Sequence, residues 1–169
     1  MKKIETERKY IILKPDIAIL ENQTGFTSSE ITQIYLFDKE KTHRIRKRVY
    51  SDGREEYTEN TKKRISFMSS VENEEIISSE KYDILKAQIE SGTAPVFKRR
   101  ITFEYEEKVF EIDIYPFWNK TCILEVELKR EDEALNFPEF IRVISDVTGI
   151  KSYSNHSMAY ETPKEIEID

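Results

Sequence analysis

Apolar and polar residues alternate with a period of two along most of this chain, as they do in strands with one buried face. Turn residues separate the alternating runs, and Asp52-Gly53 is a pair typical of a β-hairpin. The pattern predicts strands over residues 4–13, 33–38, 43–50, 54–65, 69–78, 96–106, 109–115 and 121–130. We therefore expect a chain dominated by antiparallel sheet.

Three shorter segments favour helix. Residues 28–32 predict a short helical turn that begins with a serine cap. Apolar residues recur at helical spacing in 79–91, and Gly92 follows as a stop signal. The same spacing over 137–147, with Gly149 after it, predicts a second full helix.

Composition is consistent with one folded domain. The chain has 169 residues, of which 38% are hydrophobic and 11% aromatic, so it can bury a sizeable core. No repeat or long linker divides it, and residues 1–169 are expected to form a single α+β domain with a frayed polar tail at 162–169. Cys122 is the only cysteine, which excludes an intrachain disulfide and a cysteine-based zinc cluster.

Charge and hydropathy exclude several kinds of partner. The net charge is −6, so neither nucleic acid nor an anionic membrane surface is expected to bind. The first residues lack the apolar run of a signal peptide, and no stretch approaches the roughly 20 apolar residues of a membrane helix. These features predict a soluble, cytoplasmic protein. Homodimers are common among such proteins, which leaves a homodimer open, but nothing in the sequence locates an interface.

The charged residues of the predicted strands are segregated by sign. Residues i and i+2 of a strand share a face, and on that basis three arginines share one strand face while pairs of acids share two others. These sets are Arg44, Arg46 and Arg48; Glu111 and Asp113; and Glu125 and Glu127. Like charges side by side on a face are unfavourable unless opposite charge lies between them.

Two arrangements are compatible with this alternation. One is an open sheet with a buried apolar face and a solvated charged face. The other is a barrel that closes with its charged face inside. The alternation alone favours the open sheet, whereas segregation by sign and many short strands with few covering helices favour the barrel. Arginine and lysine bind phosphate oxygens, and carboxylates bind Mg²⁺ or Mn²⁺. Such an interior would suit a polyanion accompanied by divalent cations.

A series of short motifs occurs in order along nearly the whole chain, beginning with Glu5-Thr6-Glu7-Arg8-Lys9. It continues with Gln33-Ile34-Tyr35-Leu36, Arg44-Ile45-Arg46, Thr61-Lys62-Lys63, Glu72-Asn73-Glu74, Lys98-Arg99-Arg100, 110–115, 124–128 and 147–155. In content and order these motifs resemble those of the CYTH family of triphosphate tunnel metalloenzymes. Three positions depart from the family pattern, since Ile34 replaces a glycine, Thr6 replaces an apolar residue and Ser70 stands where an arginine is frequent.

The resemblance implies an eight-stranded antiparallel β-barrel with flanking helices, whose tunnel binds one or two Mg²⁺ or Mn²⁺ ions. It implies that the metal-binding carboxylates are Glu5, Glu7, Asp113, Glu125 and Glu127. It implies that the residues binding the triphosphate are Lys9, Arg44, Arg46, Lys63, Lys98 and Arg100. Lys9, Arg44, Arg46 and Tyr35 would act on the reacting groups, and Glu72 and Glu74 would hold interior arginines.

Some of these assignments have alternatives in the sequence itself. Glu111 shares its predicted face with Asp113 and could replace it. Either Lys62 or Lys63 could face the tunnel, and alternation with the preceding residues of that strand favours Lys63. Arg48 is expected at the surface.

The resemblance leaves three functions, because a fold does not fix a reaction. The first is metal-dependent hydrolysis of inorganic triphosphate, thiamine triphosphate, ATP or a related triphosphate. The second is conversion of ATP to cyclic AMP, as in class IV adenylate cyclases, although the chain has no separate adenine-recognition motif. The third is a non-catalytic module that binds triphosphate or polyphosphate.

Overall fold

The computed structural model describes residues 2–169 and shows a ring of antiparallel strands with short helices around it. The strands are β1 (Lys2–Leu13), β2 (Thr27–Leu36), β3 (Thr42–Tyr50), β4 (Glu55–Arg64), β5 (Ser69–Ile76), β6 (Val96–Tyr105), β7 (Lys108–Ile114), β8 (Thr121–Leu128) and β9 (Val143–Asp146). The helices are α1 (Ile17–Glu21), α2 (Ser79–Lys86) and α3 (Asn155–Tyr160), with a 3₁₀ turn at Lys151–Tyr153. Within residues 2–169, no helix has the length and apolar character needed to span a membrane.

The sheet closes through β1, which forms hydrogen bonds on both of its edges. The order around the ring is β5-β4-β3-β2-β6-β7-β8-β1, and β1 pairs again with β5. Thr6 marks the junction, because it lies opposite Leu128 of β8 and Ser69 of β5. Farther along β1 the short β9 replaces β5, with Tyr10 opposite Asp146. The predicted eight-stranded antiparallel barrel is confirmed, with β9 as a short addition.

The largest apolar cluster lies on the outer face of the barrel. It includes Ile101, Phe103 and Phe110 of the wall together with Leu20 of α1. A smaller outer cluster packs Tyr82 of α2 on β2 and β3. Because burial of apolar area is the main favourable term in folding, this outer core allows the barrel interior to be polar.

A different apolar cluster fills one end of the barrel interior. Ile11, Tyr115 and Ile123 face the interior, because each lies two positions along the chain from a charged residue that faces it. They belong to one cluster with Met158 of α3. The Tyr115 hydroxyl also donates a hydrogen bond to Oδ1 of Asn155 over 2.6 Å. The charged part of the interior therefore begins where this cluster and α3 end.

The helical turn expected at residues 28–32 is wrong, because these residues belong to β2. Ser29 lies opposite Tyr50 of β3 and Arg100 of β6, so neighbouring strands bond to the backbone on both sides. This pairing satisfies more backbone groups than a local serine cap can. The helix predicted at 79–91 is confirmed but is shorter than expected, as α2 ends at Lys86.

The second predicted helix, over residues 137–147, is also wrong. Residues 137–142 form no regular element, and the following residues form β9. Phe137 and Phe140 do bury their rings, but against the outer wall of the barrel. Past Thr6, the edge of β1 no longer has β5 as a partner, and β9 supplies the missing backbone hydrogen bonds there. Tertiary pairing therefore overrides the local helical pattern.

The tail at 162–169, expected to fray, lies against the barrel. The indole N–H of Trp118 donates to a carbonyl oxygen of the tail over 2.9 Å. The Glu165 carboxylate accepts hydrogen bonds from the backbone N–H groups of Asn119, at 3.0 Å, and Lys120, at 2.7 Å. The bond from Asn119 is the main reason that the pKa of Glu165 falls to about 2. The tail thus fixes the loop between β7 and β8.

Candidate active site in the barrel interior

The barrel interior contains a cavity of about 590 Å³ with a largely charged lining. The lining cations are Lys3, Lys9, Arg44, Arg46, Arg48, Lys62, Arg64, Arg100 and Lys151. The lining carboxylates are Glu5, Glu7, Glu72, Glu74, Glu111, Glu125 and Glu127. Tyr35 and the first residues of α3 complete the wall.

Opposite charges occupy opposite arcs of the ring. The basic arc is β4, β3, β2 and β6, and most of the lining arginines and lysines project from it. The acidic arc is β7, β8, β1 and β5, and all of the lining carboxylates project from it. Lys3 and Lys9 of β1 are the cations within the acidic arc. A polyanion against the basic arc and cations against the acidic arc would each meet complementary charge.

A row of three arginines forms the centre of the basic arc. Arg46 donates through Nε, at 3.2 Å, and Nη2, at 2.9 Å, to Oε1 of Gln33, which is a neutral amide. Burial, with the neighbouring charges of Arg44 and Arg100, lowers the pKa of Arg46 to about 10. The buried Nε atoms of Arg44 and Arg48 have no hydrogen-bond partner among residues 2–169. The row therefore presents unsatisfied donors and, at Arg46, a positive charge whose hydrogen-bond partner is neutral, which favours an anion.

Glutamates of β1 and β8 dominate the acidic arc. Glu7 lies opposite Glu127 in the sheet, and Lys9 lies opposite Glu125. Burial, together with the neighbouring Glu125 and Glu5 carboxylates, raises the pKa of Glu7 to about 8. Burial acts in the same direction on Glu125, but cations led by Lys9 outweigh it and hold that pKa well below its usual range. This excess of carboxylate oxygen suits a hard cation such as Mg²⁺ or Mn²⁺.

The carboxylates are nevertheless not arranged as a ready-made metal site. Among the described residues, no three His, Cys, Asp or Glu side chains converge in a way that could hold an ion. Several are paired with cations instead: Lys62 with Glu5, Lys9 with Glu125 and Arg100 with Glu111. Glu127 lies at a more exposed position, 3.9 Å from Lys3, with 43% of its side chain accessible. A metal ion bound in the acidic arc would therefore have to displace some of these partners.

The dependence of stability on pH tests the environment of Glu7. Its folded pKa of about 8 lies above the ordinary value of 4.5, so between these pH values the folded protein retains a proton that the unfolded chain loses. Stability from protonated Glu7 is thus present below pH 4.5 and lost as the pH rises towards 8. With a chelator present, Glu7→Gln is expected to raise the melting temperature at pH 8 by about 3 °C or more, and to change it little at pH 5. An equal shift at both pH values would contradict this assignment.

β4 turns Lys62, rather than Lys63, into the cavity, so the expected orientation of Lys63 is wrong. Tyr57 lies outside the barrel, where its ring centroid is 5.1 Å from that of Tyr82 in α2. The inward set is instead the alternate one, which contains the buried Asn60 and Lys62, while Lys63 is exposed. Polar residues occur on both faces of β4, and the packing of α2 decides which face is outside.

Lys98 and Asp113 lie behind the cavity wall, although both were expected to contact ligands. Their side chains are fully buried, with Nζ of Lys98 2.7 Å from Oδ2 of Asp113. Arg100 donates to Oδ1 and Oδ2 of Asp113 over 2.7 and 2.8 Å. Neither side chain lines the cavity, and each shares a face with a member of the apolar end cluster, Lys98 with Val96 and Asp113 with Tyr115.

This buried group consists of mutual counter-ions. Burial acts to raise the pKa of Asp113, but Arg100 and Lys98 outweigh it and lower that pKa to about 2. Burial and the adjacent Arg100 lower the pKa of Lys98 to about 7. Glu111, the alternative on the same strand face, does line the cavity. The geometry therefore favours Glu111 over Asp113 as a carboxylate available to ligands.

The other predicted residues line the cavity at the positions expected: Lys9, Tyr35, Glu72 and Glu74. Nζ of Lys9 is 3.3 Å from Oε1 of Glu125. The Tyr35 ring stacks on His156 at 4.8 Å between centroids, and its hydroxyl accepts a hydrogen bond from Gln33. Oε1 of Glu72 lies 3.6 Å from Nη2 of Arg44. Their chemical roles remain predictions.

Sequence reasoning missed some of the lining. Arg48 was placed at the surface, yet it shares a strand face with Arg44 and Arg46, so the alternation rule itself would have included it. The start of α3 also lines the cavity. It reaches the cavity through long-range contacts, such as the bond from Tyr115 to Asn155, for which the local sequence carries no signal.

Several solved structures are similar to this one over most of their length. No protein-family model matches the chain, and no curated protein matches it in sequence. The crystal structure of the inorganic triphosphatase NE1496 is 23% identical, covers 95% of this chain and 97% of that chain, and has a TM-score of 0.59. The PH1012 protein from Pyrococcus horikoshii OT3 is 14% identical over 76% and 80%, with a TM-score of 0.53. A Bacillus halodurans protein provisionally named an adenylate cyclase is 18% identical over 78% and 83%, with a TM-score of 0.50.

At these identities the likeness concerns the fold. The triphosphatase match extends over nearly the whole of both chains, and the structure described above is a closed antiparallel barrel with a charged interior. The chain therefore has the CYTH, or triphosphate tunnel, fold.

Proposed function

We propose that this chain hydrolyses inorganic triphosphate or a related triphosphate inside its barrel, with the help of a divalent metal ion. The observation that carries the proposal is the row of Arg44, Arg46 and Arg48, with its unsatisfied donors, facing an arc of carboxylates. A linear triphosphate has several negative charges that match the row, and its metal ions would match the opposite arc. The shared fold with a structure named an inorganic triphosphatase supports hydrolysis as the reaction.

The basic arc would bind and orient the phosphates. Guanidinium groups can donate two parallel hydrogen bonds to a phosphate, and the arginine row supplies several such groups on one face. Lys9 would add a cation on the acidic side of the tunnel, where it already lies beside Glu125. The Tyr35 hydroxyl is held by Gln33 and would orient a phosphate oxygen or the attacking water.

The carboxylates that line the cavity would hold one or two Mg²⁺ or Mn²⁺ ions. The set is Glu5, Glu7, Glu111, Glu125 and Glu127. When bound, such ions neutralise phosphate charge and acidify water molecules in their hydration shell.

Hydrolysis forms a bond from a water oxygen to the terminal phosphorus and breaks the bond from that phosphorus to the bridging oxygen. The leaving diphosphate takes the bonding electron pair, and the proton lost by the water passes to the diphosphate or to solvent. Arg44 and Arg46 would stabilise the charge that develops on the phosphoryl oxygens and the leaving group. Because phosphoryl transfer leaves the protein little covalent chemistry to do, such a site contributes mainly by positioning the reactants and by stabilising charge.

The test is phosphate release from inorganic triphosphate, thiamine triphosphate and ATP, with Mg²⁺ and with Mn²⁺, and with mass spectrometry of the ATP products. Glu125→Gln serves as the control variant, checked for folding by circular dichroism. Metal-dependent release from one substrate, lost in the variant, supports the proposal. Cyclic AMP without free phosphate would assign the chain to the cyclase reaction. Metal-dependent binding without any product would assign it to the non-catalytic module.

A further inference from the structure

Lys62 is a basic-arc residue whose ammonium reaches across to the acidic arc. Its Nζ lies 2.8 Å from Oε2 of Glu5 and 3.8 Å from Oε1 of Glu7. Only 25% of the Lys62 side chain is accessible, with 17% for Glu5 and 21% for Glu7. Charges this sheltered from water interact more strongly than surface ion pairs do.

Glu5 and Glu7 are also two of the carboxylates that would hold a divalent cation. A cation at their oxygen atoms would lie within a few ångströms of the Lys62 ammonium, and at that separation like charges repel substantially. Lysine carries its charge on a flexible four-carbon stem, so the ammonium can move while the strand stays in place. Arg44, from the neighbouring strand of the basic arc, lines the same cavity. An anion bound beside Arg44 would attract the displaced Lys62 ammonium.

We propose that Lys62 and a divalent cation compete for Glu5 and Glu7, and that binding of the cation releases the Lys62 ammonium towards the phosphates. Lys62 is in this sense a positioning residue that makes the basic arc fully available only once the acidic arc holds metal. Linkage requires the effect to be reciprocal, so a bound polyphosphate that draws Lys62 away strengthens metal binding. The identity of the cation and of the phosphate ligand rests on the proposed function, whereas competition between Lys62 and the cation does not require hydrolysis.

The test is Mn²⁺ binding to the substrate-free protein, measured by isothermal titration and by electron paramagnetic resonance. Lys62→Met removes the competing charge and is expected to tighten Mn²⁺ binding about tenfold, a size typical of coupling between sites. Lys62→Arg retains a cation and is expected to bind Mn²⁺ as the wild type does. Lys63→Met is the matched control, because the adjacent lysine is exposed outside the cavity. Lys62→Gln is the second neutral variant, used if Lys62→Met does not fold.

Unchanged or weaker Mn²⁺ binding in the folded neutral variants would overturn the competition, as would the absence of any Mn²⁺ binding in all of the proteins. Triphosphate hydrolysis is measured separately on the same samples. Active wild-type protein with no tightening in Lys62→Met overturns this inference alone. Tightening in a protein that hydrolyses no triphosphate supports this inference and overturns the proposed function.

Discussion

Arg46→Gln is expected to reduce triphosphate hydrolysis about 10²–10³-fold, the usual loss when one stabilising donor is removed from a site of developing charge. The hydrogen bonds of Arg46 go to a neutral partner, Gln33, so its charge remains available to a ligand. The same substitution is expected to leave the melting temperature unchanged or higher. Burial and the adjacent Arg44 lower the pKa of Arg46 to about 10, which means that its charge is unfavourable in the folded protein.

A loss of activity without a loss of stability would indicate that Arg46 binds the ligand rather than supports the fold. Glutamine can still donate a hydrogen bond to Gln33, so no buried acceptor is left without a partner. Arg99→Gln is the matched control, since Arg99 is the neighbour of Arg100 on the other face of β6 and bonds to Ser28. The measurements are phosphate release and thermal unfolding of both variants. A stable, fully active Arg46→Gln protein would contradict the role given to the arginine row.

Alternation in the sequence predicted much of the barrel interior, whereas closure of the sheet was predicted from the segregation of charge by sign and from the resemblance to the CYTH family. In β1 the residues Glu5, Glu7 and Lys9 share a face, and all three line the cavity. The physical basis is strong, because a shift of one residue would move every charge of a strand into the apolar layer. For strands with one clearly apolar face, the sequence therefore specifies which charges are inside.

Alternation did not predict depth along the barrel axis. Lys98 and Asp113 have the inward orientation expected for them, yet they are fully buried behind the lining, on the side of the apolar end cluster. The extent of that cluster depends on α3, and in particular on Met158, which comes from the far end of the chain. Period-two reasoning about single strands carries no information on such long-range packing.

Alternation also fails where a strand is polar on both faces or where a partner comes from elsewhere. In β4 the choice between Lys62 and Lys63 depends on α2, whose Tyr82 covers the outer face. Residues 137–147 have helical spacing, but part of them pairs with an edge of β1 that β5 leaves free. In both cases a contact distant in sequence decides the local structure, as is common for short or ambiguous segments.

Asp113→Asn is expected to destabilise the protein by about 3–5 kcal/mol, because it removes one partner of a buried ion pair and leaves the other charges uncompensated. Lys98 and Asp113 are fully inaccessible, and Arg100 contacts both Asp113 oxygens. For a chain of this length the loss corresponds to a fall in melting temperature of about 6–20 °C. Thermal unfolding with a chelator present measures this effect without any contribution from metal binding.

A second substitution separates uncompensated charge from a simple packing defect. Adding Lys98→Met to Asp113→Asn removes the buried ammonium that Asp113 had neutralised, so the double variant is expected to melt above Asp113→Asn alone. Glu111→Gln, at the cavity-lining position of the same strand, should cost much less stability because Glu111 is partly accessible to solvent. If Asp113 instead faced a metal ion, as the resemblance implies, Asp113→Asn in chelator would melt near the wild type. Its defect would then appear only as a weaker response to added Mn²⁺, and Lys98→Met would restore nothing.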